Sequence, residues 1–107
     1  MLTLEVTLNG KKLALAGAQD LGVLNAIINA VGKLGERSEG KVGKKTNYDL
    51  FLHVGGLTSR PKGQTNEHLN WVHQHPLSIG DEVTVKIVET QATDPFKNSK
   101  VARIPET

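Results

Sequence analysis

The dipeptide Asn9-Gly10 constrains this chain more than any other feature. It separates two alternating runs, Leu2-Thr3-Leu4-Glu5-Val6-Thr7-Leu8 and Lys12-Leu13-Ala14-Leu15-Ala16. A two-residue hairpin turn of type I′ requires positive φ at both central positions, which Asn tolerates and Gly adopts freely. The chain is therefore expected to open with a β-hairpin. Leu2, Leu4, Val6 and Leu8 fall on one face of the first strand and Thr3, Glu5 and Thr7 on the other, the pattern of a half-buried strand. Leu13 and Leu15 are expected to extend the apolar face on the return strand, which Gly17 ends.

The next segment has a different periodicity. Asp20 suits an N-cap. Leu21, Leu24, Ile28 and Val31 recur at helical spacing, with Val23, Ile27 and Leu34 widening the stripe. Gly35 fits the left-handed residue just past a helix end. The expectation is one amphipathic helix over 21–34, weakened by Gly22 and Gly32 at roughly 1 kcal/mol each and so dependent on packing against a sheet. Residues 35–47 are glycine-rich and charged and read as a long loop. Tyr48 to Val54 reads as a strand broken by Gly55-Gly56, and residues 57–66 as a second polar loop. Glu67 to Gln74 reads as a strand ended by Pro76. Gly80-Asp81 marks a turn into a last strand, Val83 to Glu89. The reading is one domain over residues 1–90 and a polar C-terminal tail over 91–107, which Phe96, Val101 and Ile104 are placed to tack to the body.

The totals agree with a soluble single domain of 107 residues, 37% hydrophobic and 22% charged. The absence of cysteine excludes disulfides, thiolate metal sites and cysteine nucleophiles. No apolar run approaches the roughly 20 residues of a membrane helix, and the first residues read as a strand rather than a signal peptide. A cytoplasmic protein without membrane contact is expected. A net charge of +2 is too mild to demand a nucleic-acid partner.

The order strand, strand, helix, strand, strand, strand predicts an α+β fold, with the helix packed on a mixed sheet of about five strands. This order resembles the ubiquitin-like β-grasp superfamily. Met1 to Lys11 is similar in pattern to its opening strand and turn. Leu77-Ser78-Ile79-Gly80-Asp81-Glu82-Val83 is similar to the L-x-x-G-D-x-V entry to the last strand of its sulfur-carrier members. The resemblance implies that 2–8 and 83–89 pair in parallel. An antiparallel meander with one helix is the rival architecture, and the direction of that pairing separates the two. The superfamily acts through a C-terminal Gly-Gly. This chain ends Ala102-Arg103-Ile104-Pro105-Glu106-Thr107, so conjugation and sulfur transfer are not implied.

No catalytic or cofactor-binding constellation emerges. The serines lie in loops or turns, outside any nucleophile elbow, and no Gly-Lys pair has phosphate-loop spacing. His68, His73 and His75 are the weak candidates for a metal site, with His53 nearby in sequence terms, but none stands at a recognised ligand spacing. Lys41, Lys44 and Lys45 in the first loop, with Arg60 and Lys62 in the second, are candidates for a polyanion or nucleic-acid contact. Phe51, Trp71, Val72 and Val88 are candidates for a protein interface, since their strands present a face away from the expected helix and edge strands can extend a partner sheet; the other reading of Trp71 is a sheet residue packed under a loop or the C-terminal tail. The functional expectation is a small non-enzymatic protein-interaction module, an accessory subunit, an immunity-type inhibitor or a self-associating protein. Polyanion binding through the basic loops and a histidine metal site are the alternatives.

Overall fold

The structure, a computed structural model, describes residues 1–35 and 48–101. The described chain is all strand. In order come β1 (Leu2–Leu8), β2 (Lys11–Ala16), β3 (Leu21–Gly32), β4 (Tyr48–Thr58), β5 (Glu67–Pro76), β6 (Val83–Glu89) and β7 (Asn98–Val101). They form two sheets, a three-stranded one in the order β2-β1-β6 and a four-stranded one in the order β3-β4-β5-β7. Every pairing is antiparallel.

The opening hairpin forms as its turn residues require, with Asn9 at φ 52° and Gly10 at φ 84°. Its register departs from simple alternation at one point. Val6 lies opposite Ala14 and Thr7 opposite Lys12, so Leu13 is an extra, bulged residue. The slip moves the residues beyond it to the other face. Ala14 and Ala16, rather than Leu13 and Leu15, face inward with Val6 and are buried.

Two expectations are corrected. The segment read as a helix is the strand β3, paired with β4 from Leu21 opposite Thr58 to Gly32 opposite Tyr48. Gly22 and Gly32 disfavour a helix, and Val23, Ile27, Ile28 and Val31 are β-branched. Once β4 offers a full ladder of partners, these preferences prevail. The α+β, β-grasp-like architecture is therefore overturned, and so is its mixed sheet. The direction of pairing agrees: β1 and β6 run antiparallel, Leu2 opposite Glu89 through Leu8 opposite Val83.

The two turn signals that suggested a β-grasp do meet, in another geometry. The Asn9 amide donates from Nδ2 to Asp81 Oδ1 at 3.0 Å and accepts at Oδ1 from Glu82 N at 2.8 Å. Asn9 N donates to Glu82 O at 2.8 Å. The Asp81 carboxylate also accepts from Ser78 N at 2.7 Å. Turn 9–10 and turn 78–82 thus lock one end of the β1–β6 ladder.

The core lies between the sheets. Val6, Ala14 and Ala16 come from one and Leu52, Val54, Leu69, Trp71 and Val72 from the other. Residues 90–97 cross from β6 to β7 and tie the layers together. Asp94 is the link: its Oδ2 accepts from Leu15 N at 2.8 Å, its N donates to Leu15 O at 2.9 Å, and its carbonyl accepts from Trp71 Nε1 at 2.8 Å. Phe96 meets the Trp71 ring edge-on, centroids 6.2 Å apart. Residues 91–101 are thus part of the body, ending in a strand paired with β5. Ile104 lies outside the described residues. Among those described, no helix is long and apolar enough to cross a membrane.

Candidate interaction surface

The four sheet edges differ in chemistry. An open edge presents unpaired N–H and C=O groups, and proteins usually blunt it with charge, bulges or brevity. On β2 the edge carries Lys11, Lys12 and the bulge at Leu13. On β6 it carries Lys86 and Glu89. The β7 strand has four residues and includes Lys100. Among the described residues, β3 is the longest edge strand and the one with no charged side chain over its whole length, Leu21–Gly32; its one irregularity, at Gly22, lies at its start.

Both faces beside this edge are apolar and open. Register against β4 places Leu24, Ala26, Ile28 and Ala30 on the core side with Val54 and Leu52, and Val23, Asn25, Ile27, Asn29 and Val31 on the outer side with Leu57, His53 and Phe51. Ile28 is 56% exposed although it faces the core side, and Val31 is 57% exposed on the outer side. A shallow groove of about 260 Å³ on the outer face is lined by Val23, Asn25, Ile27, His53, Gly56, Leu57, His68 and Asn70.

Gly55-Gly56 shapes that groove. The pair does not break the strand; β4 continues through it to Thr58. A Cβ on Gly55 would stand 2.7 Å from Leu69 O and 2.8 Å from His53 Nε2, and one on Gly56 would stand 2.5 Å from Val23 O. The glycines let β3 and β5 close on β4 at this level.

Arg60 secures the start of β3. Its Nε donates to Asp20 Oδ2 at 2.9 Å and its Nη1 to Glu67 Oε2 at 2.6 Å and Thr65 O at 2.9 Å. The hydrogen bond from Arg60, then one with the Ser99 side chain, holds the Glu67 carboxyl below the usual carboxylate range. Ser59 N donates to Asp20 O at 2.7 Å. Arg60, a candidate for polyanion contact, thus has two carboxylates on its guanidinium. Lys62 is exposed in the turn that follows. Lys41, Lys44 and Lys45 lie outside the described residues.

The histidines are scattered. His53 and His73 meet edge to face, ring centroids 5.6 Å apart. Burial, and then the nearby His73 charge, lowers the His53 pKa below 6.5. His68 stands opposite Leu57. His75 stands opposite Leu52; the Asp81 carboxyl is held below its usual range chiefly by the hydrogen bond from Ser78 N and then by Asn9. The irregular stretch of β5, with Gln74 at φ 50°, separates them. Among the described residues, no group of three or more His, Asp or Glu is placed to hold a metal ion.

The four interface candidates do not share a surface. Trp71 is 1% exposed and Val72 is buried, so both belong to the core. The indole N–H has its partner in Asp94 O, as a buried Trp requires. Val88 is half-buried opposite Thr3, whose Oγ1 donates to Val88 O at 2.7 Å. Phe51 alone lies on the outer face beside β3, opposite Asn29. Val23, Ile27, Ile28 and Val31, expected on a helix stripe, lie on β3. The signal that finds Val23, Ile27 and Val31 is a second periodicity, a spacing of two shared with Asn25 and Asn29 on one face.

The described residues thus form an antiparallel two-sheet β structure with one long edge free of charged side chains. Comparisons with protein-family models, curated proteins and solved structures return no match to it.

Proposed function

We propose that the protein is a non-enzymatic protein-interaction module and that it binds through the β3 edge and the apolar outer face beside it. One observation carries this reading: a twelve-residue edge strand without a charged residue, with Val23, Ile27 and Val31 exposed on its outer face and Ile28 on its core side. Isolated exposed apolar residues are ordinary, whereas several along one open edge make a pairing template. Main-chain hydrogen bonds supply affinity in such β-augmentation, and alternate side chains supply specificity. A cytoplasmic location belongs to the same reading, resting on the absence of cysteine.

The test is affinity capture from native host extract with the tagged wild type and with Ile27→Lys, which places a charge in the middle of β3. One protein recovered in stoichiometric amount with the wild type and lost with Ile27→Lys is expected. Recovery of nucleic acid that salt releases, unchanged by Ile27→Lys, would replace this reading with polyanion binding through the loop lysines.

A further inference from the structure

We propose that the partner of the β3 edge is β3 of a second copy, paired antiparallel about a two-fold axis through Ile27. The inference rests on the reading of β3 as the binding edge and adds the partner and the register. It begins from the order of residues along the strand, Gly22-Val23-Leu24-Asn25-Ala26-Ile27-Ile28-Asn29-Ala30-Val31-Gly32.

Read in the opposite direction from the same centre, this run meets its own kind. With Ile27 opposite the partner's Ile27, Asn25 faces the partner's Asn29, Val23 the partner's Val31, and Gly22 the partner's Gly32. All but the glycine pair fall on the outer face, where register against β4 places the odd-numbered residues. Asparagine amides on directly opposed residues hydrogen-bond to one another, and opposed β-branched residues stabilise antiparallel pairs. On the core side Leu24 faces the partner's Ala30, and Ala26 faces the partner's Ile28. Each large side chain meets a small one, which fills space without overpacking. Shifting the register by one residue sets outer-face positions against core-side ones, and shifting it by two sets asparagine against aliphatic residues. No charged residue opposes another anywhere between Gly22 and Gly32.

Antiparallel pairing about an axis normal to the sheet keeps both three-stranded sheets on one side of the joined sheet. At the end of the β3–β3 seam, a cleft of about 320 Å³ lined by Met1, Leu2 and Leu21–Leu24 stands where the partner's Ala30 to Gly32 run. Such an interface is isologous and closes at two copies.

Sedimentation and light scattering are expected to give twice the 11.6 kDa of one chain, and one chain mass for Ile27→Lys, which opposes two like charges on the axis. The register has its own test, because the chain has no cysteine. Opposed Cα atoms in an antiparallel pair stand about 4.5–5.5 Å apart, within disulfide reach. Under a mild oxidant, Ile27→Cys should cross-link to a dimer. Asn25→Cys alone should not, since its two copies would be about 13 Å apart along the ladder. Mixing Asn25→Cys with Asn29→Cys should restore cross-linking as the mixed species only. These cysteine variants keep the test decisive if Ile27→Lys fails to fold. A monomer at high micromolar concentration, or Asn25→Cys cross-linking as fast as Ile27→Cys, overturns the inference. If the chain is monomeric yet captures another protein that Ile27→Lys loses, the binding edge stands and the second copy falls. If the chain is monomeric and captures nothing, both fall.

Discussion

His53 lines the groove on the outer face of the four-stranded sheet, with the His73 ring against it. Burial and the neighbouring imidazole both disfavour its charged form, so its folded-state pKa lies below 6.5. In the unfolded chain it binds a proton nearer that ordinary value. Between the two, the unfolded state holds more protons, and stability must fall as pH falls. The contribution is complete above the unfolded value, declines as pH drops through 6.5, and levels off below the folded pKa. Urea unfolding midpoints are therefore expected to be lower at pH 5.5 than at pH 7.5, and His53→Gln should flatten that difference. A midpoint that rises on acidification would contradict the placement of His53. Glu67 and Asp81, both held below the ordinary carboxylate range, act only further into acid, so the change below pH 6.5 is assigned to His53.

At the scale of elements, the clamp between two turns explains how β1 and β6 find their register. Asn9 has two separate duties: it accepts positive φ, and its amide bonds across to Asp81 and Glu82. Asn9→Gly preserves the first and removes the second. It is expected to cost about 1–2 kcal/mol in chemical denaturation, the range for two exposed hydrogen bonds, while Asp81→Ala in the same background should add little if the two residues act as one unit. Full additivity would show that Asp81 works through the Ser78 turn alone. This turn chemistry was legible in the sequence because Asn9-Gly10 and Gly80-Asp81 act locally, and so were the strands at 2–8 and 83–89, whose alternation admits one period. The strand β3 was not. Leu21, Leu24, Ile28 and Val31 satisfy a period of 3.6, while Val23, Asn25, Ile27, Asn29 and Val31 satisfy a period of two. The choice between them lies with β4, a partner more than fifteen residues away in the chain. The site was hidden by the same ambiguity, since a helix stripe reads as core and an edge strand as surface. Trp71 admitted two readings, a sheet residue packed under a loop or the C-terminal tail and an interface anchor; it is buried, with Asp94 and Phe96 of the segment after β6 against it, as in the first.

For the whole molecule, apolar side chains on the interior side of both sheets are left in water, and that exposure has a thermodynamic consequence. Val85, Ile87 and Ile28 point toward the interior side of their sheets but meet water in a single chain. A single chain therefore forgoes roughly 25 cal/mol for every Å² of apolar surface they leave uncovered. Pairing of two β3 edges covers part of that surface, at Ile28, so folding and association become linked equilibria. Anything that binds the native state and not the unfolded chain raises the unfolding midpoint by mass action. The melting temperature of the wild type is accordingly expected to climb as the chain concentration is raised a hundredfold. A hundredfold excess over the dissociation constant corresponds to about 2.7 kcal/mol in linkage terms, or several degrees for a domain of this size. Ile27→Lys should melt at one temperature across the same range, and below the wild type at every concentration where the wild type is paired. Differential scanning at three concentrations reads both outcomes. A wild-type midpoint that ignores concentration would mean that the β3 edge does not pair with a second copy and that Ile28 stays in water.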